Sequence, residues 1–189
     1  MNGLLDTLLE AVFGLLSFAA LLRFLLQVTG APWRNPVSEF AVSLTEFALK
    51  HMRRYLRSRT MDYSPLLWAW FLEVVFLVLS MMLVQGVPIV DMLQFLPWIL
   101  VSSVIAMMRH ALYLLMGAVF LLAVLSWINP YSPAMAAVDA LTRPFLVPLR
   151  QFIPLLGTVD LTPLVLMVIF QLTLTILVGG LEMLAQRLM

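Results

Sequence analysis

Cysteine is absent from the 189 residues. That excludes disulfides, thiolate metal sites, covalent C-x-x-C-H haem attachment and cysteine catalysis within the chain. Charge is scarce too. Asp, Glu, Lys and Arg make up 11% of the residues, where a soluble domain carries about a quarter. The net charge is +1, which excludes a nucleic-acid binder held by bulk electrostatics. A cationic leader is missing: Met1 to Glu10 has no Lys or Arg and does have Asp6 and Glu10. The first apolar segment is therefore expected to stay in the mature protein rather than leave as a signal peptide. There is no G-x-S-x-G, H-E-x-x-H or P-loop. His51 and His110 lack metal-ligand spacing. The sequence thus offers no catalytic residue, no metal ligand and no cofactor.

Apolar length is abundant. Hydrophobic residues make up 63% of the chain, and the mean hydropathy is +1.03. A bilayer core of about 30 Å needs roughly 20 apolar residues in a helix. Ala11 to Val28 is apolar except for Arg23 and Gln27, and can start near Leu8. Ser64 to Val90 carries one charge, Glu73, and Leu161 to Leu181 carries none. Met92 to Met108 and Ala111 to Ile128 are uncharged and separated only by Arg109-His110. They read as one span with an apolar extension over Pro97 to Met108, or as two short spans.

A repeat favours the first reading. The hexapeptide W-x-N-P-x-S occurs at Trp33-Asn35-Pro36-Ser38 and again at Trp127-Asn129-Pro130-Ser132, an offset of 94. Asp62-x-Ser64-Pro65 returns as Asp160-x-Thr162-Pro163 at 98, and Leu44-Thr45 as Leu141-Thr142 at 97. The chain divides into tandem halves, 1–95 and 96–189, each written span, polar segment, span. The expectation is an all-α integral membrane protein. Its four spans cover about 8–28, 64–88, 108–128 and 162–182; five spans is the alternative. A hairpin at Arg109-His110 would lack Gly or Pro at its bend.

The repeated motifs read as punctuation. Asn before Pro is pushed out of the helical region, so Asn35-Pro36 and Asn129-Pro130 are expected to stop the incoming spans. Trp33 and Trp127 suit the membrane–water interface. Ser38 and Ser132 are expected to cap new helices, as are Ser64 and Thr162 ahead of Pro65 and Pro163, with Asp62 and Asp160 adding charge. Val37, Phe40, Leu44, Phe47, Met52 and Leu56 recur at helical spacing, with Lys50, Arg53, Arg54, Arg57 and Arg59 at the basic end. That predicts an amphipathic helix over about 37–58, lying in the interface on anionic headgroups. Val138, Leu141, Phe145 and Leu149 echo it over about 132–152, where Pro144 and Pro148 are expected to break the helix up. Cation excess in both connecting segments places them in the cytoplasm.

Three polar groups fall inside spans, where such residues are costly. Glu73 and its repeat equivalent Gln171 lie at one depth. Arg23 lies at a similar depth and is the expected partner of Glu73.

Taken together, these motifs resemble the YggT family of small integral membrane proteins. The second half carries most of the likeness, through Leu141-Thr142-Arg143-Pro144, Pro148, Arg150, Pro154, Gly157, Asp160, Thr162 and Pro163. The first half has Phe47 and Arg59 where the family pattern expects proline or proline-glycine. The resemblance implies a multi-pass protein of the bacterial inner membrane. It also implies links to osmotic tolerance and potassium handling, and, in plastid and cyanobacterial relatives, to haem attachment and membrane organisation. Two functional classes follow: a scaffold or assembly factor acting through an unidentified membrane partner, or a component of ion transport. A homo-oligomer is also compatible.

Overall fold

The computed structural model describes residues 2–56, 61–153 and 160–188. Arg57, Arg59, Pro154 and Gly157 lie outside the described residues. Every regular element described is helical: α1 (Asn2–Val28), α2 (Pro36–Leu56), α3 (Ser64–Leu83), α4 (Leu96–Ile128), α5 (Met135–Arg150), α6 (Thr162–Leu172) and α7 (Gly179–Ala185). A 3-10 stretch, Ile89–Phe95, leads into α4, and a π-helical turn, Thr173–Val178, joins α6 to α7. Four stretches are long and apolar enough to cross a membrane: Gly3–Val28, Ser64–Leu83, Ile89–Ile128 and Thr162–Ala185.

The third of these settles the choice between four and five spans. α4 runs unbroken through Arg109 and His110, and the apolar extension over Pro97 to Met108 belongs to the same helix. Its 33 residues make it about 50 Å long at 1.5 Å per residue.

Helix ends depart from the sequence reading in an instructive way. α1 does not run to Asn35-Pro36. It stops at Gly30, whose φ of 66° only glycine adopts freely. The Ala31 N–H reaches back to the Leu26 carbonyl and the Gly30 N–H to Gln27, at 2.9 and 3.2 Å, closing a Schellman turn. Asn35 then begins α2 rather than ending α1. Its Oδ1 accepts the Ser38 N–H at 2.9 Å, and its Nδ2 donates to the Ser38 hydroxyl at 2.9 Å. Asn35 is the N-cap, with Pro36 at the first helical position; Ser38 is not. In the second copy α4 does run to Ile128, and Asn129 is exposed. α5 starts only at Met135, after a turn in which the Ser132 hydroxyl accepts the Ala134 N–H at 3.3 Å. The hexapeptide repeats in sequence and not in structure.

The Asp motifs repeat in both. Asp62 Oδ1 accepts the Ser64 N–H at 3.0 Å, and Asp160 Oδ1 accepts the Thr162 N–H at 2.9 Å. The carboxylates, not the Ser and Thr after them, cap α3 and α6. Nor is α5 broken by Pro144 and Pro148; it is continuous from Met135 to Arg150. Both prolines face outward, while Leu141 and Leu146 on the inner side are buried. Packing along that side outweighs the missing N–H donors.

One core joins both halves. Ala20, Leu22 and Leu26 of α1 meet Ala41 of α2, Ala69 of α3, Leu115, Val119 and Leu122 of α4, Val138 and Leu141 of α5, and Leu166 and Phe170 of α6. The fully buried Ala20, Ala41, Ala69 and Ala137 let helices approach closely, which is how helices associate where lipid is as apolar as the side chains.

Candidate functional site

α2 has three faces. Ser38, Ala41, Thr45 and Leu49 are buried against the bundle. Glu39, Ser43, Lys50 and Arg54 are exposed along another side. Phe40 and Phe47, expected to be the anchoring stripe, form a third exposed strip, where Phe47 packs edge-on against Trp68 of α3 at 6.3 Å. Val37, of the same expected stripe, instead packs partly buried against the core, and a small, partly polar face holds α2 to the protein. Lys50 and Arg54 point away from the bundle. Arg53 does not: it lies along the bundle side and is committed to two carboxylates.

Those carboxylates belong to a chain of charges. Arg23 of α1, 4% exposed, donates to the Thr45 hydroxyl at 2.9 Å and to Glu46 at 2.7 Å. Glu46 also accepts from Arg53 at 3.1 Å. Arg53 reaches Asp62 at 2.7 Å, and Asp62 caps α3. The network ties α1, α2 and the start of α3 together. Its last link recurs in the other half as Arg150–Asp160 at 3.1 Å. Burial alone would raise both aspartate pKa values. Hydrogen bonds from Ser64 and Arg53, and from Thr162 and Arg150, outweigh it and hold both below the ordinary 3.8.

A depressed pKa contributes stability that is complete above the unfolded value and lost as pH falls through the folded one. Melting in detergent should therefore drop below about pH 4. Replacing both Asp62 and Asp160 by Asn keeps a capping oxygen and removes the titration, so the drop should shrink. An unchanged acid limb in the double variant would show that these carboxylates do not set it.

Arg23 does not meet Glu73. Glu73 of α3 is 3% exposed, and its Oε1 accepts from the Ser17 hydroxyl of α1 at 2.6 Å. The same oxygen lies 2.8 Å from His110 Nδ1 of α4. Each of the three sits near the middle of its stretch: Ser17 in Gly3–Val28, Glu73 in Ser64–Leu83, His110 in Ile89–Ile128. Gly14, one turn before Ser17, lies beside the imidazole; a Cβ there would stand in ordinary contact, 4.0 Å from His110 Nε2. Gln171 does not join them. It is exposed on the fourth span, and its backbone carbonyl accepts from the Thr175 hydroxyl at 3.0 Å.

Ser17, His110, Thr45 and Glu46 were not singled out as partners from sequence. His110 had a signal. A charged pair in the middle of 35 otherwise uncharged residues, Met92 to Ile128, is intramembrane by length alone. Its neighbour Arg109 pairs with Glu182 of α7 at 2.8 Å. The Ser–Glu–His grouping is not a nucleophile triad: Ser17 is bound to the carboxylate, whereas catalysis needs it on the imidazole.

The CCB3/YggT family model matches residues 1–83 and 101–181, one segment in each half. The chain belongs to this family. Among YggT-family relatives, an uncharacterized protein of Vibrio alginolyticus is 30% identical over 89% of each chain. An uncharacterized protein of Pseudomonas aeruginosa is 30% identical over 83% of this chain and 79% of its own. The Escherichia coli protein named YggT, also uncharacterized, is 25% identical over 87% of this chain and 84% of its own. No solved structure matches. The tandem arrangement is thus a property of this YggT-family chain. The Arg–Asp latch and the buried Thr45 and Thr142 occur in both repeats. The intramembrane charges do not, since Gly117 stands at the position matching Arg23 and Gln171 at that matching Glu73.

Proposed function

We propose that the chain is a multi-pass scaffold of the bacterial inner membrane that organises a partner membrane protein, and that it is not a conduit. The supporting observation is how charge is spent inside the bundle. Arg23 ends on Thr45 and Glu46, and Glu73 on Ser17 and His110. Between these clusters lie Ala20 on α1 and Ala69 on α3, both fully buried. An apolar layer divides the clusters, so each fastens helices and neither continues into the other. The interfacial helices, on the cytoplasmic side by their cation excess, turn Lys50, Arg54 and Arg143 outward, suited to anionic headgroups and to an acidic partner surface.

The second reading is ion transport linked to osmotic stress. It is favoured by one observation, the titratable Glu73–His110 pair inside the membrane. One experiment separates the two. The purified chain in liposomes should pass no potassium or protons above empty vesicles. In cells, the paired substitution Glu73→Leu with His110→Leu should keep the wild-type crosslinks to partners. Flux that this double substitution abolishes would overturn the scaffold and establish transport.

A further inference from the structure

We propose that the fourth span carries a docking face for a second copy of this chain, centred on Gln171. The proposal goes beyond the scaffold reading and does not rest on it. Gln171 is the tenth residue of the 24-residue stretch Thr162–Ala185, about 14 Å from its start at 1.5 Å per residue. That depth is hydrocarbon, and the side chain is exposed to it. Among the described residues no group pairs with its amide; the bond from the Thr175 hydroxyl goes to its backbone carbonyl. A side-chain amide brings two donors and an acceptor, and in hydrocarbon no water satisfies them. In the first repeat the matching position holds Glu73, which Ser17 of α1 and His110 of α4 engage. In the second repeat no described helix covers that side of α6, where Leu164 and Val168 are exposed as well.

The surface around Gln171 suits a helix. Leu164, Val168 and Thr175 lie seven, three and four residues from it, on the same side, and all are exposed. Beside them, where α6 passes into the π-helical turn, runs a shallow groove with Leu172 and Ile176 in its wall. Two arguments choose a second copy as the occupant. All copies of one chain sit in the membrane the same way up. A two-fold axis along the membrane normal then sets Gln171 against Gln171 at identical depth, which an unrelated helix matches only by chance. An amide is also its own complement: each side chain donates an N–H to the other's carbonyl oxygen. Polar side chains bonded across helices in this way hold transmembrane helices together.

The test uses the full-length chain, whose lack of native cysteine permits single replacements. Val168→Cys and Thr175→Cys lie on the docking face; Phe120→Cys is exposed elsewhere, on α4. Oxidation in native membranes should join each of the first two into a species of twice the chain's mass and leave the third monomeric. Crosslinks to some other protein alone, or equal dimer from all three positions, would overturn the proposal. In liposomes, energy transfer between amino-terminally labelled copies over a lipid dilution series gives the dissociation constant of the dimer. Gln171→Leu should raise it about tenfold, through the loss of two reciprocal hydrogen bonds. Gln171→Asn keeps an amide and should raise it less. An unchanged helical circular dichroism spectrum checks that both variants fold. A chain that stays monomeric across the series, or a leucine variant that pairs as tightly as the wild type, would also overturn it.

Discussion

Replacing Glu46 by leucine should lower unfolding free energy by about 3–5 kcal/mol, the cost of stranding a buried charge. The stranded group is Arg23. Its guanidinium is 5% exposed at the side chain and cannot shed its proton, so with Glu46 gone only the Thr45 hydroxyl remains. The reverse substitution should be milder. Arg23→Leu leaves Glu46 with 43% of its side chain exposed and still bound to Arg53, hence solvated and paired. Two substitutions on one ion pair should therefore differ in cost, the carboxylate being the more damaging to remove. Adding Arg23→Leu to Glu46→Leu should recover most of the loss. Steric-trapping measurements in bicelles would show it; equal costs with no recovery would mean that Arg23 does not depend on Glu46.

The second large effect is at Glu73. Removing its carboxyl strands the part-buried His110 imidazole, and an unpaired polar group of this kind costs about 1–3 kcal/mol. Glu73→Leu should thus cost about 1–3 kcal/mol. Here rescue has a different origin. His110→Leu removes one stranded group, and Ser17 can turn to a carbonyl of its own helix, so the double variant should approach wild-type stability. Strict addition of the two single effects would show that the side chains are not coupled. A cycle between Glu73 and Arg23, by contrast, should show little coupling, because they share no partner.

Why the sequence pointed to Arg23 rather than His110 is a matter of geometry. Depth along a helix is a one-dimensional quantity, and counting from Asn35 and Asp62 supplies it. Azimuth is not. Ser17 and Arg23 are six residues apart on α1, so their side chains diverge by roughly 120° at 3.6 residues per turn. One faces α3 and α4, the other faces α2. Only the packed bundle fixes which neighbour stands in each direction. Span count was legible because apolar length is one-dimensional too, and the uncharged flanks of Arg109-His110 carried it. Capping was legible in residue type and not in atom: Asp62 and Ser64 were both flagged, but which oxygen reaches the free N–H depends on backbone torsions. Pro144 and Pro148 misled for the converse reason. A local preference predicts a break, and the tertiary burial of Leu141 and Leu146 overrides it.

The length of α4 has a mechanical consequence. A rod of 33 residues, about 50 Å, does not fit upright in about 30 Å of hydrocarbon. It must lean, let one end emerge, or deform the lipid around it, at a fraction of a kcal/mol per ångström of mismatch. α1, α3 and α5 all pack on it, so a change in its lean is transmitted to both halves at once. Bilayer thickness is therefore a variable that this protein feels, and membranes differing by a few ångströms would hold it at different angles.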